Sequence, residues 1–456
     1  MSLHSIGYSG VQAARIGMNV TALNLSNALT PGYSRQHIVQ QAIGPMGNQR
    51  LFSGNGVEVS QIMRMADQFR IGQVWRGGTQ VSYYDQTQTY LGGLETILGS
   101  DSTGIGDGLD NLFKSLNGAT EKPNNQAMRQ DVLTEARSLA MRFNNVQKFI
   151  QSQRSDIQQQ QQGTVVSINT LTENIAKYNQ KIVEITAAGG DTNILRDQRD
   201  ELVKELSNYA DVRVNINDKG EYNISLPSGQ PLVNGKDFGT LSIQPDSNGM
   251  MKMTLSYAGS SYDTPMSCGG KLGALHDYAS GTLSEMDESV KGMAQALATA
   301  FNAQLASGFD LNGNPGGALF IFDANDPGGM LQVTDLQWHE LAFSSAAGES
   351  GNNQNLLELI KIKNQNYDIP GMGETSLDNA SATLISTVGI KSRQNQTELQ
   401  SAVALLEQAI IQRDNYSAVN DDEEYINLST YTQSYQANMK VIATGDQIFR
   451  DLLALF

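Results

Sequence analysis

Asp197, Arg199 and Asp200 are the residues of this chain whose types and spacing could serve general acid–base chemistry, one carboxyl donating a proton while the other accepts. On a helix the same spacing makes ion pairs that brace neighbouring helices, and no nucleophile accompanies them to complete a catalytic set. His4, His37, His276 and His339 are scattered without ligand spacing and read as surface or interface residues. The stretch from Asp310 opens like a calcium loop, but its twelfth position is Ile321 rather than glutamate, and the stretch from Asp323 fails likewise at Thr334. Gly104 to Gly108 alternates glycines without a preceding strand or a full dinucleotide fingerprint. The single cysteine, Cys268, excludes an internal disulfide and a cysteine-based zinc cluster. The expectation is a chain with no catalytic residues, no metal and no cofactor, hence not an enzyme.

Composition narrows the partners. The formal net charge is −16 over 456 residues, which repels phosphate backbones and anionic lipid surfaces, so neither nucleic acid nor membrane insertion is expected. Only 17% of residues are charged and 7% aromatic; the surface is polar mainly through amides and hydroxyls. No apolar run reaches the roughly 18 residues of a membrane span. Nothing near Met1 has the basic and apolar regions of a signal peptide, so export is expected to use a route without cleavage.

The elements that must position these residues are mainly helical. None of the ten prolines lies between Pro123 and Pro227 or after Pro370, which leaves both stretches free for long helices. Val132, Ala136, Leu139, Phe143, Val146 and Ile150 alternate by four and three. After the glutamines at Gln158 to Gln162 the seam resumes at Ile168, Leu171, Ile175, Tyr178, Ile182 and Ile185. Ala187 to Asn193 should break that helix, and Leu195, Leu202 and Tyr209 mark the stripe of a shorter one. From Asp211 the period becomes two, with four short runs parted by turns, so 211–268 reads as a small antiparallel β domain inserted between helices. Helical spacing returns at Leu283, Met286, Val290, Met293, Leu297 and Ala300, and again at Leu399, Val403, Leu406 and Ile410.

Each end carries a helix. Ser9 and Gln12 are spaced as a capping box, and Pro31 biases Thr30 out of the helical region. Between them Val11, Ala14, Met18, Ala22 and Leu25 form an apolar stripe about 28 Å long at about 1.5 Å per residue. Ser34 to Gly56 is poor in apolar residues and reads as an adaptable connector. At the other end Asn420 precedes Asp421, Asp422, Glu423 and Glu424, acids suited to a helix N-terminus. Leu428, Tyr435, Ile442, Phe449 and Phe456 then recur every seven residues. The expectation is that the two helices zip together, bury their outer faces against neighbouring subunits and order on assembly.

Asn24 to Gln36, with its Thr30-Pro31-Gly32-Tyr33 turn, resembles the N-terminal signature of bacterial flagellar axial proteins, and Glu423 to Leu453, with Tyr435 to Asn438 at its centre, resembles their C-terminal helix. Thr192 to Val214 and Gly313 to Phe322 narrow the resemblance to the hook-associated proteins that join hook to filament. The resemblance implies a mainly α fold with an inserted β domain: a terminal coiled-coil domain from 1–40 and 420–456, a helical domain from 41–210 and 269–419, and an outer β domain from 211–268. It implies a structural subunit of the hook–filament junction, extracellular and exported by the flagellar type III apparatus. Its expected partners are copies of itself in a ring, the hook protein, the hook-associated protein on the filament side, and a cytosolic chaperone on the C-terminal helix. The expected assembly residues are Val11, Met18, Leu25, Leu428, Tyr435, Ile442, Phe449 and Phe456, with Pro31, Gly32 and Tyr33 forming the turn. The alternatives are another axial subunit (flagellin-like, hook or distal rod) or an enzyme carried on the same scaffold. The β-rich part is short, as though an outer domain were absent.

Overall fold

The computed structural model describes residues 3–44, 54–246 and 251–454. Its first helix, α1 (Leu3–Ser26), leads through a turn into an antiparallel hairpin of β1 (Gln36–Ala42) and β2 (Val57–Arg64). Four helices follow: α2 (Gln68–Gly99), α3 (Ile105–Ala119), α4 (Gln126–Ala187) and α5 (Asn193–Tyr209). The region read as β carries two sheets. The first joins β3 (Arg213–Ile216), β4 (Tyr222–Ser225), β5 (Pro231–Asn234) and β6 (Asp237–Phe238); the second joins β7 (Thr240–Pro245), β8 (Met251–Tyr257) and β9 (Ser260–Thr264). Then come α6 (Gly270–Tyr278) and α7 (Ser284–Ala306), a small pair β10 (Phe320–Phe322) and β11 (Leu331–Val333), α8 (Gln354–Lys361), and a second pair β12 (Asn366–Ile369) and β13 (Gly373–Ser376). Two long helices, α9 (Leu377–Ser417) and α10 (Asp421–Leu453), close the chain.

Side-chain caps set several of the starts. Asn125 accepts from the amides of Ala127 and Met128 at the head of α4, Asp67 from Phe69 and Arg70 at α2, and Asn420 from Glu423 at α10. The apolar seams on either side of the glutamine run belong to one 62-residue helix, α4. Its first half packs Val132 to Ile157 into a core shared with α3, α7 and parts of α2 and α9. Its second half sends Val165, Ile168, Leu171 and Ile175 into a separate core with α5 and the sheet residues Ile224, Leu232, Leu241 and Leu255. The glutamines lie where the helix passes from one core to the other.

Four expectations need correction. Ser9 does not cap α1: the helix starts by Leu3, and the Ser9 hydroxyl donates to the Ile6 carbonyl while accepting from the Val57 amide. The stretch from Ser34 is not an open connector, because Gln36–Ala42 pairs with Val57–Arg64; the part from 45 to 53 lies outside the described residues. On α5 the buried face is Asp197, Asp200, Val203 and Leu206, with Leu195, Leu202 and Tyr209 only half-buried. On α9 the seam against α2 runs through Val388, Asn395, Ala402 and Ala409, every seventh residue, while Val403 is exposed.

Candidate assembly interface

α1 and α10 lie antiparallel, and the surface they share is built from small residues on α1. Gly7, Gly10, Ala14, Gly17, Thr21 and Asn24 recur at three and four, so they occupy one face, and all are buried. Into that trough α10 inserts large side chains: a Cβ at Gly7 would stand 2.8 Å from Ile442 Cγ1, one at Gly17 2.6 Å from Tyr431 Cε1, and one at Gly10 would overlap the Asn438 amide. Glycine is used here for close approach. On α1 the stripe expected from sequence sits at the edge of this seam, with Val11, Met18 and Leu25 half-buried; on α10 Ile442 enters the trough at Gly7, and Leu428 and Tyr435 are half-buried. Phe449 is 62% exposed, and Phe456 lies outside the described residues.

Below the seam the terminal pair meets the body through a polar joint. Thr30 to Ser34 makes the turn, with Gly32 at φ +76°, a conformation that costs a residue with a Cβ roughly 1–2 kcal/mol. Tyr33 donates its hydroxyl proton to Asn24 Oδ1 at 2.8 Å, and Asn24 Nδ2 reaches both the Gln36 carbonyl at 2.8 Å and Glu424 Oε2 at 3.1 Å. Glu424 is 1% exposed; its other oxygen takes Arg35 Nε at 2.7 Å, while the same guanidinium holds Glu423 at 2.5 Å. Pro31 is exposed, and Gly32 and Tyr33 are half-buried. Burial, then the neighbouring carboxylates of Asp197 and Glu424, push the Tyr33 phenol far above its usual range, so it remains a hydrogen-bond donor.

One step further in, the carboxylates first considered for catalysis hold the joint to α5. Asp197 accepts from the Ser34 amide at 3.0 Å, the Ser34 hydroxyl at 2.7 Å and Arg64 Nη1 at 2.7 Å. Arg64 also pairs with Asp200 at 2.8 Å, and Asp200 receives the Tyr222 hydroxyl. Arg199 stacks over the Tyr222 ring at 3.5 Å and donates to Asn179 Oδ1 at 2.7 Å. The braces expected between helices thus tie strand β2 and the turn to α5. Burial raises the Asp197 carboxyl above its ordinary value, although Ser34 and Arg64 pull the other way. Burial also opposes the Arg64 charge, but Asp200 and Asp197 outweigh it and raise its pKa. These groups pair with one another as a structural clamp, in which Arg199 Nε alone is left without a hydrogen-bond or ion-pair partner. Among the described residues no cluster of His, Cys, Asp or Glu is arranged to hold a metal ion, and no helix is long and apolar enough to cross a membrane.

Asn24, Arg35, Arg64 and Glu424 were not expected at a site. The available signal was their type: a glutamate and an asparagine placed at seam positions of two packed helices must find partners.

Comparison with known proteins agrees with this architecture. The sequence model of the flagellar hook-associated protein FlgK helical domain matches residues 91–320, half of the chain, and that of the C-terminal region of the flagellar basal body rod FlgEFG proteins matches residues 412–455. Flagellar hook-associated protein 1 of Salmonella typhimurium is 26% identical over 99% of both chains, and that of Bacillus subtilis 25% identical over 96% of this chain and 95% of the relative. The Salmonella alignment runs over 555 positions against the 456 residues here, so that relative carries inserted segments this chain lacks. The flagellar hook junction protein FlgK of Burkholderia pseudomallei superposes with a TM-score of 0.67 at 18% identity, covering 76% of this chain and all of that one, and so shares the fold.

A long-helix body with small inserted sheets, closed by a pair of terminal helices, defines an axial subunit of the bacterial flagellum. The chain belongs to the family of the flagellar hook-associated protein FlgK, structural subunits of the hook–filament junction.

Proposed function

We propose that the chain takes its place in the junction through the α1–α10 pair, which acts as the assembly domain over 1–40 and 420–456. The helical body over 41–210 and 269–419 and the β unit over 211–268 stand outside it. One observation carries this reading. Across its 33 residues α10 buries a single residue, Glu424, while Tyr425, Ile426, Met439, Ile448, Phe449, Leu452 and Leu453 are exposed. A helix that leaves so much apolar surface in water is suited to cover it with neighbouring subunits. Recesses of about 240 and 470 Å³ flank the Thr30–Ser34 turn and leave the attachment of the pair room to adjust. A subunit between two tubes of different curvature needs such adjustment.

In this reading the protein works outside the cell, catalyses nothing, and contacts copies of itself, the hook protein below and the next hook-associated protein above. The reading includes export through the flagellar type III apparatus, and the exposed apolar face of α10 is a surface suited to a chaperone that covers it beforehand. Replacing Tyr425, Ile426 and Phe449 together by serine should leave the urea-unfolding midpoint of the body unchanged, because those side chains lie outside both cores. The same variant should fail to support filaments in a strain lacking the native gene. Normal filaments would remove the exposed face from the interface.

A further inference from the structure

We infer that the helical body flexes at a polar layer between its two cores, where α2, α4 and α9 pass through together, so that each core stays rigid while the subunit follows a change of tube curvature within itself. The flexure is a property of the chain on its own; its use in the flagellum rests on the junction reading above.

The two cores share no residue, and the long helices change character between them. α2 gives Tyr90, Leu91, Leu94 and Leu98 to the first core and Ile71 and Trp75 to the second, α4 leaves the first at Ile157 and enters the second at Val165, and Val388 is the last residue of α9 in the first. Across 80–89, 158–164 and 389–398 the buried residues are Gln161, Thr164, Ser392 and Asn395, all of them polar. These stretches lie at one level. Gln86 Nε2 reaches Gln160 Oε1 at 3.4 Å, Gln88 Nε2 donates to Ser392 Oγ at 3.0 Å, and Asn395 Nδ2 donates to the Tyr84 carbonyl at 2.8 Å and to Gln88 Oε1 at 2.9 Å. On the remaining side the Tyr83 hydroxyl donates to Asp277 at 3.0 Å and Lys391 Nζ to Thr282 Oγ1 at 3.2 Å, beside the five residues Ala279–Leu283 that join α6 to α7 as a π-helix. Along α2 the layer is about 15 Å thick at about 1.5 Å per residue.

Interdigitated apolar side chains cannot slide without opening voids, whereas amides at the edge of water exchange a protein partner for a solvent one at little cost. The body can therefore deform between its cores and not within them. Two glycines lie inside the long helices at this level, Gly163 on α4 and Gly389 on α9. Neither takes a positive φ, and a Cβ at either would meet nothing within 4 Å, whereas one at Gly77 on α2 would stand 3.1 Å from Leu406 Cδ1. Gly163 and Gly389 thus serve neither a turn nor a close approach. What they add is a looser helix, because glycine is the poorest helix former after proline. The π-helix interrupts the regular α-helical ladder at the same level.

Amide hydrogen exchange of the purified full chain, corrected for intrinsic rates, should show 80–89, 158–164 and 389–398 exchanging at least ten-fold faster than 90–98, 132–157 and 165–182 on either side of them. Gly163→Ala with Gly389→Ala should slow exchange in the layer several-fold and leave both cores unchanged, since the added methyl groups touch nothing. In cells the same double variant should still build filaments, because neither position lies on the terminal pair, but should shed them several-fold more often than native in viscous medium. Uniform protection along α4, or alanines that leave the exchange of the layer as it was, overturns the flexure whatever the chain does in the flagellum. Unchanged shedding from flagella that contain the variant overturns its use at the junction. Absence of the native chain from the junction of normal organelles would instead strike the assembly reading and leave the exchange result standing.

Discussion

Asp197→Ala should lower the stability of the body by about 3 kcal/mol, the scale expected when one partner of a buried charge pair is removed. The carboxylate is buried and takes three hydrogen bonds, two from Ser34 and one from Arg64. Its loss strands the Ser34 amide and leaves Arg64 with Asp200 alone. The pH dependence has a definite sign. Burial holds the Asp197 carboxyl above its ordinary value, so the folded chain binds that proton more tightly than the unfolded chain. The resulting stabilisation is complete below the unfolded value and is lost as pH rises through the folded one. The gap between native and variant in urea unfolding should therefore be wider in mild acid than at neutral pH. A gap under about 0.5 kcal/mol, the scale of an ordinary surface substitution, would mean the clamp contributes nothing.

Gly10→Leu should abolish filament formation while the unfolding of the body stays within about 0.5 kcal/mol of native, because distant sites act independently. The space a side chain would need is filled by the Asn438 amide. That amide is held in place, donating to the Ser434 carbonyl at 2.8 Å, so α1 and α10 must part to admit a leucine. Separation breaks the trough along its length, since Gly7 and Gly17 sit equally close to Ile442 and Tyr431. Motility in soft agar and electron microscopy read the first half of the expectation, and urea unfolding the second. Normal swimming by this variant would mean that the seam opens during assembly.

The contrast between these two sites explains what could be read from sequence. Helices with apolar faces were legible, down to the break at Ala187 to Asn193 and the acid-capped start of α10, because hydrophobic period and capping act locally. The trough on α1 was not, since glycine marks close approach without adding hydrophobicity, and the eye goes to Val11, Met18 and Leu25 at its edge. The α5 face was misassigned for the opposite reason: Asp197 and Asp200 look like solvent residues, and their burial is made tolerable by Ser34 and Arg64, more than a hundred positions away, and by the Tyr222 hydroxyl. The hairpin at β1 and β2 escaped notice because its strands are largely polar and lie along α1 instead of in a sheet core.

The most direct measurement is electron microscopy of cells deleted for this gene and complemented either with the full chain or with a version ending at Glu424. The account predicts bare hooks and unpolymerised flagellin in the medium for the deletion, filaments restored by the full chain, and no restoration by the shortened one. Normal filaments on cells that carry only the shortened chain would contradict assembly through the terminal pair.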